Sequence, residues 1–211
     1  MAHPESSAPP ARAGRRQWAA LGVLVLVVVL LTVDGTVLYL AVPSMTVDLE
    51  PTASQLLWIG DIYSFALAGL LITMGNLADR IGRKKLLLIG SAAFGVASVL
   101  AAFAPSAEML IAARALLGIA GAPLMPSTLS LVRAMFVDAK QRTRAIAIWS
   151  MGATAGAALG PLVGGVLLEH FWWGSVFLIN VPIMVIVLVA GPILIPESRG
   201  DAKAPIDLLS S

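Results

Sequence analysis

The chain alternates between long apolar stretches and short polar connections. Six stretches reach the length of about 20 apolar residues that a helix needs to cross a bilayer. They lie at approximately 17–42, 56–77, 85–103, 107–136, 144–168 and 174–195. The first stretch is rich in valine, but its length and the absence of polar alternation favour a helix over a strand. The pattern predicts an all-α membrane protein with six transmembrane helices.

The composition leads to the same class. Of 211 residues, 58% are hydrophobic and 12% are charged, with a mean hydropathy of +0.90, which is outside the usual mixture for a soluble domain. We predict a cytoplasmic tail at 1–16, a transmembrane bundle at 17–196 and a cytoplasmic linker at 197–211. The linker is polar and turn-rich, and we expect it to be truncated, because it reads like a connection with nothing after Ser211.

Several classes of function are disfavoured by what the chain contains. It has no cysteine, and its two histidines, His3 and His170, stand alone, so we expect no metal site and no cofactor. We find no serine with a His/Asp pair and no phosphate-binding Walker loop, which argues against an enzyme and against an ATP-driven pump. The basic residues form short clusters at span ends and not a nucleic-acid patch.

The basic residues also indicate the orientation. Thirteen of the fourteen Lys and Arg residues lie in the tail, in or next to the connections between spans 2 and 3 and between spans 4 and 5, and after span 6. The fourteenth, Arg114, falls inside span 4. Because Lys and Arg are enriched on the cytoplasmic side, we predict a multi-pass protein of the plasma membrane with both termini in the cytoplasm.

A short charged segment at 75–88 joins spans 2 and 3. Each charge would cost about 2.5–3.5 kcal/mol inside hydrocarbon, so this segment is expected at the membrane surface. We expect Gly75 to permit close helix approach and Gly82 to permit a tight turn. The pattern Gly-x-Leu-Ala-Asp-Arg-x-Gly-Arg-Lys-x-x-Leu resembles the loop between helices 2 and 3 of the major facilitator superfamily. In that family this loop helps latch the outward-facing state, which implies a latch at Gly75, Asp79, Arg80, Gly82 and Arg83.

Three further segments resemble motifs of drug/proton antiporters in that superfamily. Residues 31–43 look like the helix 1 motif, although Tyr39 stands where a small polar residue is common, and residues 114–118 are similar to the Arg-x-x-x-Gly motif of helix 4. The segment 156–165 is similar to the Gly-x-x-x-Gly-Pro-x-x-Gly-Gly motif, but small residues at this spacing also pack helices in any membrane protein. We expect its proline to bend the helix. The motif consists of Gly156, Gly160, Pro161, Gly164 and Gly165.

Residues 58–64 and 68–71 look most like the fourteen-helix branch of the superfamily, the QacA-like multidrug efflux pumps. The resemblance covers 16–207 and implies the N-terminal six-helix half, built as two inverted three-helix repeats. It also implies that this half works with a missing C-terminal half or a second copy.

Three ionisable side chains lie well inside the predicted spans, and such residues are functional candidates because burying them is costly. We predict that Asp34 and Arg114 couple transport to protons, since burial favours a neutral carboxyl group and a guanidinium favours its charged form. A structural ion pair between helices 1 and 4 is the alternative, and the two interpretations are compatible. We predict that Asp61, Tyr39 and Tyr63 recognise a cationic substrate.

Together these observations predict a proton-coupled exporter of lipophilic, often cationic drugs or antiseptics that works by alternating access. Its partners would be the small hydrophobic or cationic substrate, protons and the lipid bilayer, with no nucleic acid. Two alternatives stay open. One is a truncated or non-transporting six-helix membrane protein that acts only with a partner, and the other is a facilitator carrier of another small solute.

Overall fold

A computed structural model of the chain describes residues 12–198. All elements of this part are helices, and they run along the chain as α1 (Arg15–Leu49), α2 (Ala53–Ile81), α3 (Arg83–Ala102), α4 (Ala107–Gly121), α5 (Leu124–Met135), α6 (Ala139–His170), α7 (Ser175–Leu178) and α8 (Asn180–Leu194). Most of the predicted tail and linker, at 1–11 and 199–211, lies outside the described residues. The predicted domain boundaries therefore stay predictions.

The helices form six segments that are long and apolar enough to cross a membrane. Helices α1, α2, α3 and α6 each make one span. The fourth span, Ala107–Met135, contains α4 and α5, and the sixth, Ser175–Leu194, contains α7 and α8. The six spans predicted from hydrophobicity are confirmed.

Several helices extend beyond the predicted spans, and polar side chains cap two of the extended ends. Helix α1 continues past position 42 to Leu49, and only three residues separate it from α2. Thr52 caps α2 reciprocally with Gln55, whose side-chain Oε1 accepts from the Thr52 amide at 2.8 Å. Asp138 caps α6 by accepting from the Gln141 amide at 2.9 Å. Capping satisfies helix ends that project beyond the apolar stretch.

Helix α1 lies at the centre of the bundle and packs along its length against α6 and also against α8. Helix α4 packs against α2 and α3, and α3 packs against α8. Helices α2 and α6 leave the largest share of their apolar surface uncovered, including Phe65, Ile72, Met151 and Leu162. The interior therefore converges on α1 and α4, which carry the charges predicted to be inside the membrane.

Candidate functional site

A buried ion pair joins α1 to α4. The Arg114 Nη1 atom lies 3.3 Å from the Asp34 Oδ2 atom, and the two residues are 1% and 0% exposed. Hydrocarbon does not solvate charges, so each partner compensates part of the cost of burying the other. The structure therefore brings together the two residues for which the sequence predicted a shared role.

Arg114 is also fixed by α2. Its Nε–H donates to the Ile59 carbonyl oxygen at 3.1 Å, and its guanidinium carbon lies 4.5 Å from the centre of the Tyr63 ring. This is cation–π geometry, which is worth more in a desolvated site than at a surface. Tyr63 is buried, and its hydroxyl donates to the Leu31 carbonyl oxygen at 3.5 Å. Tyr63 thus belongs to the ion-pair site, although the sequence grouped it with the substrate contacts.

Two polar residues that were not predicted complete the site. Asn180 of α8 donates from Nδ2 to Asp34 Oδ1 at 2.7 Å and to Ser98 Oγ at 3.1 Å. Ser98 of α3 donates in turn to the Phe94 carbonyl oxygen at 2.8 Å. Both side chains are fully buried. A search limited to ionisable residues misses them, but a lone amide in an apolar helix was an available signal.

This arrangement gives Asp34 a defined chemistry. Each carboxylate oxygen accepts from one donor, Oδ1 from the amide of Asn180 and Oδ2 from the guanidinium of Arg114. The donors come from separate helices, α8 and α4. The Asp34 carboxylate therefore joins α1 to both α4 and α8, and its two hydrogen bonds depend on how these helices are placed relative to one another.

Asp61 and Tyr39 lie together at a different place. They line an open pocket of about 190 Å³ between α1 and α2, with Leu38, Val42, Leu56, Leu57, Ile59 and Gly60. Asp61 is exposed and the Tyr39 side chain is 67% exposed. The pocket thus presents one carboxylate and one aromatic ring on an apolar wall. Ile59 borders this pocket and also accepts the hydrogen bond from Arg114, so it connects the two sites.

The charged segment at 75–88 forms the turn between α2 and α3. Helix α2 ends and α3 begins at Gly82, whose φ of 108° is a conformation that strongly favours glycine. Arg83 Nη2 lies 2.8 Å from Asp79 Oδ1, and the Arg83 amide donates to the Ser198 carbonyl oxygen at 2.9 Å. Arg80 is exposed in the last turn of α2. The tight turn predicted at Gly82 is confirmed.

The close helix approach predicted at Gly75 is wrong for this conformation. A Cβ atom built at Gly75 would lie 3.8 Å from the Cβ of Pro126, which is an ordinary van der Waals distance. The α2 and α5 backbones are therefore far enough apart here to accommodate a side chain.

Three glycines of the α6 motif pack against α1. Gly156, Gly160 and Gly164 are buried at four-residue spacing. Cβ atoms built there would lie 2.6 Å from the Val29 carbonyl oxygen, 3.0 Å from Thr36 Cβ and 2.9 Å from Val37 Cγ2, respectively.

One glycine of the motif faces elsewhere. Around Gly165 no described atom lies within 4 Å of a built Cβ. Gly152, which was not predicted, extends the packing face by one turn, since its Cβ would lie 2.7 Å from Val25 Cγ1. The helix continues through Pro161 to His170, and the bend expected there stays a prediction.

The fold and the site define an integral membrane protein, a helical bundle with a buried charged network at its centre. The chain belongs to the Major Facilitator Superfamily, whose family profile matches residues 24–209. This membership agrees with the resemblance seen in the charged segment and in the antiporter motifs.

Curated relatives include multidrug efflux pumps. The chain is 57% identical to the multidrug efflux pump LfrA of Mycolicibacterium smegmatis over 206 residues, which cover 98% of this chain and 41% of that protein. It is 47% identical to the methyl viologen resistance protein SmvA of Salmonella typhimurium, over 92% of this chain and 39% of that protein. The chain therefore spans about two fifths of the length of these relatives.

Solved structures confirm the fold class. A bacterial homologue of the human lysosomal transporter Spinster, in an inward-facing and unoccupied conformation, aligns with a TM-score of 0.69 over 93% of this chain and 47% of that chain, at 22% identity. The peptide transporter POT aligns with a TM-score of 0.72 over 82% of this chain and 37% of that chain, at 23% identity. The predicted all-α, six-helix bundle with the major facilitator fold is thus confirmed.

Proposed function

We propose that this chain is the N-terminal part of a transporter that exports lipophilic, often cationic drugs or antiseptics in exchange for protons, by alternating access. The observation that carries the proposal is the fully buried ion pair between Asp34 on α1 and Arg114 on α4. Keeping a carboxyl group in such a place costs free energy, and such buried ionisable groups commonly have a function. We propose that the function here is to bind and release a proton during transport.

Asp34 would bind a proton in one conformation of the bundle and release it in the other. In the closed pair, Arg114 favours the charged carboxylate, while burial favours the neutral acid. When the cavity opens outward, a weaker contact with Arg114 lets Asp34 take a proton, and the loss of negative charge releases a bound cation. When the cavity opens inward, loss of the proton restores the charge, and the next cation binds.

The substrate class rests on the pocket between α1 and α2 and on the relatives. An exposed carboxylate, Asp61, and an exposed ring, Tyr39, share an otherwise apolar wall, which suits an organic cation. One relative is named a multidrug efflux pump and another a methyl viologen resistance protein. Methyl viologen is an organic dication, so its chemistry matches this pocket.

The proposed working unit is larger than the described bundle. Helices α2 and α6 expose large apolar side chains, and the relatives are more than twice as long as this chain. We propose that the rest of a longer transporter, or a second copy, packs near these helices. The Asp79–Arg83 pair would then latch one conformation from the cytoplasmic side of the plasma membrane.

The experiment is proton-driven efflux by a complete transporter that contains this chain, reconstituted in vesicles. Asp34→Asn should reduce efflux driven by a pH gradient to the level of empty vesicles, because the amide cannot exchange a proton. Asp34→Glu should retain part of it, because the carboxyl group remains. Both variants should insert and purify like the parent. Full pH-driven efflux by a correctly inserted Asp34→Asn protein would contradict the proposal.

A further inference from the structure

The hydrogen bonds around Asp34 pose a problem for its protonated form. The described groups that contact its carboxyl oxygens are the guanidinium of Arg114 and the Nδ2 of Asn180, and both of them donate. A guanidinium has no acceptor. A proton added to Asp34 would therefore create a hydroxyl that faces only donors, in a place where an unpaired polar group is costly.

Asn180 carries an acceptor that the observed arrangement does not use. Its Oδ1 atom is buried and has no hydrogen-bond partner among the described residues. A half-turn of the amide exchanges the positions of Nδ2 and Oδ1 and leaves the shape of the side chain nearly unchanged. Oδ1 would then occupy the present position of Nδ2, which lies 2.7 Å from Asp34 Oδ1.

The surroundings of Asn180 allow this half-turn. Ser98 now accepts from Nδ2 and donates to the Phe94 carbonyl oxygen, and a serine hydroxyl can rotate to donate to Oδ1 instead. Either orientation of the amide leaves one of its ends without a described partner, so the turn costs no additional buried group.

We propose that Asn180 is a positioning residue that stabilises Asp34 in both protonation states, with Nδ2 facing the carboxylate and Oδ1 facing the protonated acid. This inference rests on the proposed role of Asp34 as the coupling carboxylate. It gives α8 a part in the transport cycle, because a side chain on α8 responds to protonation of Asp34 on α1.

Among the groups that surround Asp34, the amide of Asn180 is the one that can adapt its hydrogen bond when Asp34 is protonated. The ionisable residues of the site are Arg114 on α4 and Tyr63 on α2, whereas α3 and α8 contribute Ser98 and Asn180. Helix α6 faces α1 with glycines at this level. Of the two groups bonded to the carboxyl oxygens, Asn180 alone can exchange a donor for an acceptor.

The sequence permits a direct measurement. The chain contains two asparagines, Asn76 and Asn180. Asn76 is exposed near the end of α2, so Asn76→Gln leaves a single asparagine without touching the buried site. Cell-free synthesis of this 211-residue variant with asparagine labelled by ¹³C at the side-chain carbonyl places one infrared label at Asn180. The protein is reconstituted in lipid and titrated with pH.

We expect the Asn180 carbonyl band to move to lower wavenumber as pH falls, since an unpaired carbonyl becomes an acceptor. Its midpoint should equal that of the carboxylic acid band of Asp34. The matched control is Asp34→Ser in the same background, which adds no labelled residue and should abolish both changes. A shift that persists in the control would overturn the inference.

Two further outcomes separate this inference from the proposed function. If the Asp34 acid band appears while the Asn180 band stays fixed, Asn180 does not respond to protonation and the inference is wrong, although the coupling role of Asp34 stands. If Asp34 shows no acid band at any pH at which the chain stays folded, both proposals are overturned.

Discussion

Asp34 and Asp61 are both aspartates in membrane-spanning helices, but their surroundings differ. Asp34 is fully buried and bonded to Arg114 and Asn180, whereas Asp61 is exposed at the edge of a pocket. Protonation of Asp34 therefore affects contacts between helices, whereas the charge of Asp61 acts on whatever enters the pocket. The two carboxylates are suited to different tasks.

This difference predicts a selective effect of Asp61→Asn in a complete transporter. The change keeps the size of the side chain and removes its negative charge, so export of organic cations should weaken, and divalent cations should be affected most. We expect a loss of about tenfold or more for a dication, equivalent to at least about 1.4 kcal/mol of binding. Efflux assays with matched neutral, monovalent and divalent dyes would measure it. An equal loss for neutral dyes would show that Asp61 is structural.

For single residues, the sequence was informative where placing a side chain inside the membrane costs free energy. A charge inside a span is expensive, so Asp34 and Arg114 were identifiable without the fold. The roles of Asn180 and Tyr63 depend on which helix faces which, and periodicity does not contain that information. Asn180 is 146 positions from Asp34 along the chain, and only packing brings them together.

The contact between α1 and α6 shows how small residues set the distance between two helices. Gly156 lies against the α1 backbone, where a built Cβ would be 2.6 Å from the Val29 carbonyl oxygen. A backbone atom cannot move aside as a flexible side chain can. The spacing of these two helices therefore depends on the absence of a side chain at this face of α6.

Two alanine substitutions on the same helix test this packing. Gly156→Ala should destabilise the bundle by about 1–3 kcal/mol, as overpacking of a filled interior does. Gly165→Ala is the matched control, because no described atom lies within 4 Å of its built Cβ. The control should be neutral or slightly stabilising, since alanine favours helix by up to about 1 kcal/mol. Reversible unfolding in mixed detergent micelles would compare them, and equal stability of the two variants would contradict the packing described.

At the element scale, hydrophobicity predicted the six spans well and their ends less well. A hydropathy pattern shows where hydrocarbon can surround a helix, but capping by Thr52 or Asp138 lets the helix continue beyond that zone. The interruptions inside the fourth and sixth spans were also not predicted, because an apolar run does not reveal a local break. At Gly75, a close helix approach was expected from the small size of glycine, but the sequence does not show which neighbouring helix lies there or at what distance.

At the scale of the whole molecule, the distribution of charge predicts the orientation of the bundle. Thirteen of the fourteen Lys and Arg residues lie in or next to the tail, the linker and the connections on one side. By the positive-inside rule, we expect that side to face the cytoplasm. The expected orientation places the α1–α2 connection outside and the α5–α6 connection inside.

Single cysteines test this orientation cleanly, because the chain contains none of its own. Ser54→Cys lies in the first turn of α2, next to the cap at Thr52, and Lys140→Cys lies in the first turn of α6; both positions are exposed. In intact cells an impermeant maleimide should label the first and not the second. Labelling of both after permeabilisation is the accessibility control. The reverse pattern in intact cells would show that the orientation is wrong.

In the proposed function, Asp34 is the group that exchanges the proton for the substrate. Its position in a buried network linking α1, α3, α4 and α8 is observed, and its chemistry follows from the two donors that hold it. A measurement that counts protons as substrate binds tests that role without requiring a full transport cycle.

The measurement is substrate-induced proton release from a complete transporter containing this chain, in weakly buffered detergent with a pH-sensitive dye. The parent protein should release protons when a cationic substrate is added at a pH where Asp34 is protonated. Asp34→Asn should release none while remaining folded, and Asp34→Glu should release them at a shifted pH. If the Asp34→Asn protein releases as many protons as the parent, Asp34 is not the coupling site and the proposed function is wrong.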